Sequence, residues 1–418
     1  MKKLEQRVPN LRFKGFTDDW EQHKLRDVAD LNGRIGFRGY TRKDIVNKDK
    51  GILAFSPTNI VSNRLIKTSK DTYITVKKYD ESPEIKLKNG YVLFVKTGST
   101  LGKSALIKEL SQLATVNPQI VVIKPKRINA SFMSIILLND KVQRQVFSRK
   151  IGGAVPTLTE NEINNFNFNV PKTTEQQSIS EIIECLNNFL SLQQRKLDLL
   201  KQLKKGFLQK MFAEKNSKQP VLRFKGFHDD WEGRKLENSA DYIRGSFPQP
   251  YGNKEWYGGT NAKPFVQVVD VNTNMRLNKK TKEQISVLAQ PKSRFVPSDS
   301  IVVTLQGSIG RVAITQYDSY VDRTLLIFTK YKVPVDKYFW AYSIQNIFRI
   351  EKQKAPGGTI KTITKRALSS FEVSLPVQEE QKKIGTLLKN IDDIITSQQE
   401  EVSKLKKIKK SLLQQMFI

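Results

Sequence analysis

Cysteine occurs once in the 418 residues, at Cys185, and histidine twice, at His23 and His228. A single thiol excludes a disulfide framework and any metal site built on several cysteines. Two histidines leave little for a zinc centre or a histidine-activated nucleophile. Long apolar runs are missing as well. The longest, residues 132–138, is interrupted by Ser134 and falls far short of the roughly 20 residues a membrane-spanning helix needs. The first ten residues are polar and charged, so the expectation is a cytoplasmic protein with no leader and no membrane partner. Negative charge is scarce: 41 Asp and Glu stand against 71 Lys and Arg, a net +30. An excess of that size favours a polyanionic partner, nucleic acid before an anionic membrane surface. With 38% hydrophobic and 9% aromatic residues the chain can still build cores. Its length calls for two domains or more.

The chain is written twice. Residues 9–30 (PNLRFKGFTDDWEQHKLRDVAD) and 220–241 (PVLRFKGFHDDWEGRKLENSAD) are identical at 15 of 22 positions, at an offset of 211. A second pair starts at Pro171 and Pro376, offset 205, and shares Glu175/Glu380, Gln176/Gln381, Ile179/Ile384, Gln193/Gln398, Leu200/Leu405, Lys204/Lys409 and Phe212/Phe417. Between these anchors the plan is common. Residues 91–107 and 300–315 both read as an apolar run, a Gly-Ser turn, a basic residue and a second apolar run. Gly152-Gly153 and Gly357-Gly358 match at offset 205, whereas 31–90 and 242–299 share no recognisable similarity. One scaffold with different loops suits two reading heads for two targets.

Each copy closes on a long amphipathic stretch. Ile179, Ile183, Leu186, Leu190, Leu197 and Leu200 follow 4–3–4 spacing with Gln193 in the intervening slot; Ile384, Leu388, Ile391, Ile395, Gln398, Val402 and Leu405 occupy the same slots in the second copy. This pattern predicts a coiled-coil seam rather than the wider stripe of a globular helix. About 38 residues make a rod of roughly 57 Å, too long for one core, and the economical partner is the other copy's helix. The predicted helix-pair interface is Ile183, Leu186, Leu190, Gln193 and Leu197 against Leu388, Ile391, Ile395, Gln398 and Val402. Thr173 with Gln176 fits a capping box, and Cys185 is expected to be a small buried residue.

Three motifs suggest catalysis and fail on inspection. Gly98-Ser-Thr-Leu-Gly-Lys-Ser104 has three residues between its glycines where a phosphate loop needs four, and the second copy lacks the Lys-Ser pair. Asn117-Pro118-Gln119-Ile120 has half of an adenine-methylating tetrapeptide without its second proline or stacking aromatic, and the second copy reads Asp322-Arg323-Thr324-Leu325. Glu84-Ile85-Lys86, with Asp71 or Asp80 upstream, mimics a nuclease's metal-binding acids but has no counterpart in the other copy. No metal and no cofactor are expected on this chain.

The basic, aromatic-flanked loops are the better candidates. Arg34, Arg38, Arg42 and Lys43 surround Phe37 and Tyr40; Arg244 and Lys254 lie near Trp256 and Tyr257 in the second copy. Lys96, Lys103 and Arg311 flank the Gly-Ser turns, and Lys361 follows the second Gly-Gly. Such loops set phosphate contacts from Lys and Arg beside base-edge contacts from Arg, Gln and Asn. These ten are the expected DNA contacts.

The layout resembles the DNA specificity subunit of type I restriction–modification systems. The resemblance covers nearly the whole chain. It rests on the repeated Leu-Arg-Phe-Lys-Gly-Phe-x-Asp-Asp-Trp-Glu openings, the Gly-Ser turns, the Gly-Gly pairs and Pro-x-x-x-Glu-Gln at 171–176 and 376–381. It implies an α+β fold: two pseudo-symmetric target-recognition domains of mixed sheet and short helices, joined by a pair of long antiparallel coiled-coil helices. The expected boundaries are 1–170 and 220–375 for the recognition domains, 171–212 and 376–418 for the spacer helices, and 213–219 for the linker. The resemblance further implies a subunit without catalysis of its own that reads a bipartite target in double-stranded DNA. Two methylation subunits bringing S-adenosylmethionine, and endonuclease/translocase subunits, would dock on it. A self-sufficient restriction or methylating enzyme, or a duplicated basic adaptor for RNA or membranes, are the alternatives. The first would need a cofactor loop or an acid cluster, the second exposed aromatic platforms or a basic amphipathic face.

Overall fold

The computed structural model describes residues 8–34, 39–214, 217–354, 363 and 365–417. They form two compact units, residues 1–192 with 403–418, and residues 193–402.

In the first unit, the strands β1 (Glu21–Lys24) and β12 (Asn167–Val170) pair antiparallel, tying the repeated opening to the segment before the long helix. An antiparallel sheet runs in the order β2 (Ala29–Asn32), β11 (Ile120–Pro125), β8 (Val92–Val95), β9 (Ser104–Leu106). A mixed sheet runs β10 (Ala114–Val116), β4 (Ile52–Phe55), β7 (Thr72–Ile74), β3 (Ile45–Val46), with β10 and β4 parallel. Between β4 and β7 lies a small hairpin of β5 (Ile60–Val61) and β6 (Arg64–Leu65).

The unbroken apolar runs mark strands buried on both faces. Val92 and Phe94 of β8, with Val121 and Ile123 of β11, face a core shared with the helix α1 (Ala130–Ile136), Val142 and Val146 of α2 (Asp140–Arg149), and Ile179 and Ile183. Their neighbours Leu93, Val95, Ile120 and Val122 face Leu53, Phe55, Ala114 and Val116 of the mixed sheet. Period-two alternation therefore builds three layers: helices, antiparallel sheet, mixed sheet.

The second unit repeats this plan. The strands β13 (Glu232–Lys235) and β22 (Glu372–Leu375) pair antiparallel. The antiparallel sheet is β14 (Ala240–Arg244), β21 (Leu325–Tyr331), β18 (Ile301–Thr304), β19 (Val312–Ile314). The mixed sheet is β16 (Glu283–Ile285), β15 (Lys263–Val266), β20 (Ser319–Val321), β17 (Arg294–Val296). Ile301, Val303, Leu326 and Phe328 face the core under Phe339, Trp340 and Phe348 of α4 (Lys337–Lys354), while Val302, Leu325 and Ile327 face Val266, Val296 and Val321. The α+β expectation holds.

The long helices α3 (Thr173–Lys210) and α5 (Gln378–Gln415) have 38 residues each, the length the heptads predicted. Within the second unit they run antiparallel, because contacts descend on one as they ascend on the other: Gln193 accepts from Gln398 at 2.6 Å, Leu197 packs with Ile391 and Ile395, and Lys204 reaches Asp392 at 2.7 Å. The ends of the helices seal cores. Phe212 stacks on Phe339 and meets Trp231 edge-on in the second unit. Phe417 meets Trp20 and Phe132 in the same way in the first.

Two local expectations are corrected. Cys185 is exposed rather than buried, because the seam turns Ile183 inward and leaves the position two residues later on the flank. Gln176 does not close a capping box. Its amide donates to the Pro171 carbonyl at 2.8 Å and its oxygen accepts from the Asn129 amide at 2.8 Å. It pins the helix start to the loop before α1 instead, and Gln381 does the same with Pro376 and Asp336.

Candidate nucleic-acid interface

The repeated signatures turn out to be joints. Arg12 donates twice, at 2.8 Å each, to the buried carboxylate of Glu175, and Arg223 does so to Glu380. The opening motif and the Glu-Gln motif are thus halves of one clamp that holds each head to its helix start. A bidentate Arg–carboxylate pair supplies direction as well as energy.

Another pair of the signatures also meets. The Gly-Ser turn is the tip of the β8–β9 hairpin, with Gly98 at φ +102°. The Gly-Gly segment lies against it: the Gly98 amide donates to Pro156 at 2.9 Å and the Leu158 amide to Lys96 at 2.9 Å. Gly33, after β2, closes this loop cluster, since a Cβ there would collide with Oε1 of Glu160, whose carboxylate pairs with Lys96 at 3.0 Å. Residues 150–155 on its rim are exposed, including Ile151 and Val155.

The failed catalytic motifs find structural roles. Asn117 caps the step from β10 to β11: its oxygen accepts from the Gln119 amide at 2.8 Å and its amide donates to the Tyr40 hydroxyl at 3.1 Å. Asp322 does the same work, accepting from the Thr324 amide at 2.9 Å and from the Tyr251 hydroxyl at 2.8 Å. Tyr40 and Tyr251 stand 211 apart, Asn117 and Asp322 205 apart, the two offsets of the repeat. Burial, with Asp322 beside it, drives the Tyr251 hydroxyl pKa well above the ordinary phenol value. Lys86 pairs with Asp80 at 2.6 Å, and Asp71 accepts from Asn59 at 2.7 Å. Among the described residues no group of three or more His, Cys, Asp or Glu could hold a metal. No described helix is long and apolar enough to cross a membrane.

The ten expected DNA contacts divide. Arg42, Lys43, Lys103 and Lys254 are exposed. Arg34 is half-buried, donates to the Val116 carbonyl at 3.1 Å and lies 5.6 Å from the Tyr40 ring; burial lowers its pKa. Arg244 donates to the Ile363 carbonyl at 2.9 Å, Arg311 to the Val271 carbonyl at 3.3 Å, and Lys96 is paired with Glu160. Arg34, Lys96 and Arg311 are half-buried and brace their loops, whereas Arg244 is exposed like the first group. Arg38 and Lys361 lie outside the described residues, as do Phe37 and Gly357-Gly358. Of the expected helix-pair residues, Leu197, Ile391, Ile395, Gln193 and Gln398 meet as described, and Val402 is buried. Ile183 and Leu388 belong to the head cores, and Leu186 and Leu190 are half-buried. The clamps and the Tyr–Asx pairs escaped sequence reasoning, although each partner sits at one of the two repeat offsets, a signal that was available.

Two similar heads, each clamped to a long helix and each carrying its own basic loops, define a duplicated recognition protein. The family described as the type I restriction modification DNA specificity domain matches residues 17–202 and again 228–407. The chain belongs to that family. It is 25% identical over 415 residues to a Methanocaldococcus jannaschii protein assigned as the MjaX specificity subunit of a type I restriction enzyme, covering 95% of this chain and 92% of that one. The MjaVIII specificity subunit of the same organism is 24% identical over 290 residues, 64% of each chain. Among solved structures, the S subunit of a type I restriction–modification system from M. genitalium has the same fold, with a TM-score of 0.62 at 11% identity over 98% of this chain and 99% of that one. A chain from a study of complex assembly and conformational transition of the type I system matches with a TM-score of 0.54 at 17% identity, over 94% and 96%.

Proposed function

We propose that this chain is the DNA-reading subunit of a type I restriction–modification complex and binds a bipartite duplex target, one half-site per head. The recognition domains span 1–170 and 220–375, the spacer helices 171–212 and 376–418, and 213–219 link the copies. The reading is carried by one observation: the two units share the β1–β12 and β13–β22 ties, a four-stranded antiparallel sheet in the same order and a parallel β4–β10 or β15–β20 pair, while their segments at 31–90 and 242–299 differ in sequence and in the edge strands they add. Different loops on equal scaffolds read different half-sites, so the target need not be a palindrome. Two copies of one methylation subunit would attach to the duplicated helix starts and bring S-adenosylmethionine and the chemistry, and endonuclease/translocase subunits would join them. The chain itself performs no bond-making step.

The lysine and arginine excess supplies affinity through counterion release, so binding falls steeply with salt. Sequence choice comes from the exposed loop residues, Arg42, Lys43, Lys103 and Lys254 among them. Each good base contact discriminates by about 1–3 kcal/mol. The test replaces residues 242–299 by the corresponding stretch of another family member and sequences the DNA methylated by the assembled complex. One half-site changes and the other stays. A change in both halves would overturn independent reading, and methyl transfer by the purified chain alone would overturn its non-catalytic role.

A further inference from the structure

Although 31–90 and 242–299 share no sequence pattern, each sends one arginine to the same place on its long helix. In the first unit the β5–β6 hairpin turns through Ser62 and Asn63 at φ +50° and +63°, the backbone that two-residue hairpin turns require. Asn63 accepts from the hydroxyls of Ser104 at 3.2 Å and Ser134 at 3.1 Å, fastening the turn to its own head. The next residue, Arg64, donates to the side-chain oxygen of Asn188 on α3. In the second unit Val271 pairs with Leu277 around a turn one residue longer, with Met275 at φ +61°. Arg276 donates to Asp393 of α5 at 2.7 Å, and Asn274 to the Thr396 hydroxyl at 3.1 Å.

The correspondence is positional. Ile60 and Val271, which open the hairpins, stand 211 apart, and Asn188 and Asp393, which receive the arginines, stand 205 apart. Each arginine directly precedes the leucine that closes its hairpin. Beside each contact lies an open cleft, about 370 Å³ in the first unit and about 410 Å³ in the second. At this level each head leans on its helix through polar struts rather than packed core. Lys108–Glu184 at 2.5 Å adds a second strut in the first unit, and in the second Lys389 of α5 itself flanks the arginine's acceptor, pairing with Asp393 at 3.1 Å.

We propose that Arg64 and Arg276 are positioning residues that hold each head at a set angle on its helix and so determine which separation between half-sites is accepted. This deepens the bipartite reading and rests on it. The separation is read at the far end of a lever, so a small tilt at the hairpin moves the loops while leaving their own contacts intact.

The test uses the full chain assembled with its methylation subunit. Four duplexes are compared: both half-sites at the native separation, at one base pair less, at one more, and a lone half-site. Arg276→Glu sets a carboxylate against Asp393, and the preference for the native separation should fall about fivefold, the scale of one such ion pair, with lone half-site affinity within about twofold. Adding Asp393→Arg re-forms the pair with exchanged charges and should restore the preference. Asp393→Asn reproduces the arginine–carboxamide contact that already exists in the first unit. It therefore folds even where Arg276→Glu does not, and should lower the preference about twofold. An unchanged preference in both single variants overturns the proposal. So does an equal loss on the lone half-site that Asp393→Arg fails to rescue, because the hairpin would then act on the recognition loops themselves. A parent complex that binds bipartite and lone sites equally would instead remove the bipartite reading.

Discussion

Arg223 and Glu380 illustrate how single side chains set the frame. The Glu380 carboxylate is fully buried and has its guanidinium partner at 2.8 Å on each oxygen. Removing one member of such a pair leaves an uncompensated charge in low dielectric, which costs about 3–5 kcal/mol, far more than the intact pair contributes. Arg223→Ala is therefore expected to destabilise the second unit by that order in denaturant unfolding, and Arg223→Ala with Glu380→Leu to recover most of it. Arg12→Ala should do the same to the first unit through Glu175. The Gln193–Gln398 bond makes the opposite point. A polar pair in a seam fixes register at some expense of stability, so Leu at both positions should leave the unfolding midpoint equal or higher. The readout is size-exclusion chromatography: the double variant is expected to populate alternative associations that the parent does not.

At the scale of elements, the bipartite reading proposed above makes helix length the quantity to vary. A helix rises 1.5 Å per residue and does not stretch, so its length is a dimension of the protein. Each long helix runs unbroken through 38 residues, and the boundary between the compact units falls inside it, between Leu192 and Gln193 on α3 and between Val402 and Ser403 on α5. One heptad inserted beside Gln193 and one beside Gln398 keeps the seam in phase and lengthens the rod by roughly 10.5 Å. At about 3.4 Å per base pair, the methylated motif should gain about three base pairs between its half-sites, with neither half altered. Sequencing of methylated DNA checks this, and an unchanged gap would mean that the helices are not the spacer.

The whole molecule is two versions of one unit cut at different points. The second is continuous, residues 193–402; the first is assembled from 1–192 and 403–418. In the first unit the opening motif and the end of α5 are neighbours, for the Leu11 amide donates to the Gln415 carbonyl at 2.9 Å and Phe417 lies against Trp20. The second unit makes the same contact, the Leu222 amide donating to the Lys210 carbonyl at 2.8 Å. A circular permutant that joins the old ends through a short linker and opens between 213 and 219 should fold, retain the parent's helix content by circular dichroism and bind the same target. Failure to fold would mean that the linker does more than connect.

Much of this was legible in the sequence, and for a physical reason. A duplication displays its own anchors, heptads have a period that no other element shares, and composition limits chemistry: one cysteine, two histidines and a net +30 left nucleic-acid recognition as the reading. The unbroken apolar runs at Val92–Val95 and Ile301–Thr304 announced strands, and the fold buries both faces of each. What the sequence could not decide was which residues face which. That Arg34, Arg244 and Arg311 each set a guanidinium on a backbone carbonyl is invisible in the sequence, and Cys185 looks buried until the phase of the seam is known. Arg12 with Glu175, Tyr40 with Asn117 and Arg64 with Asn188 are separated by 163, 77 and 124 residues. Local pattern carries no information across such distances. Composition, repeat and period gave a polyanionic partner and a doubled plan, and the resemblance carried by the repeated motifs gave the class of protein. Only tertiary structure could tell the charges that hold each head together from the charges left exposed, because a side chain's role depends on what folding brings within 3 Å of it.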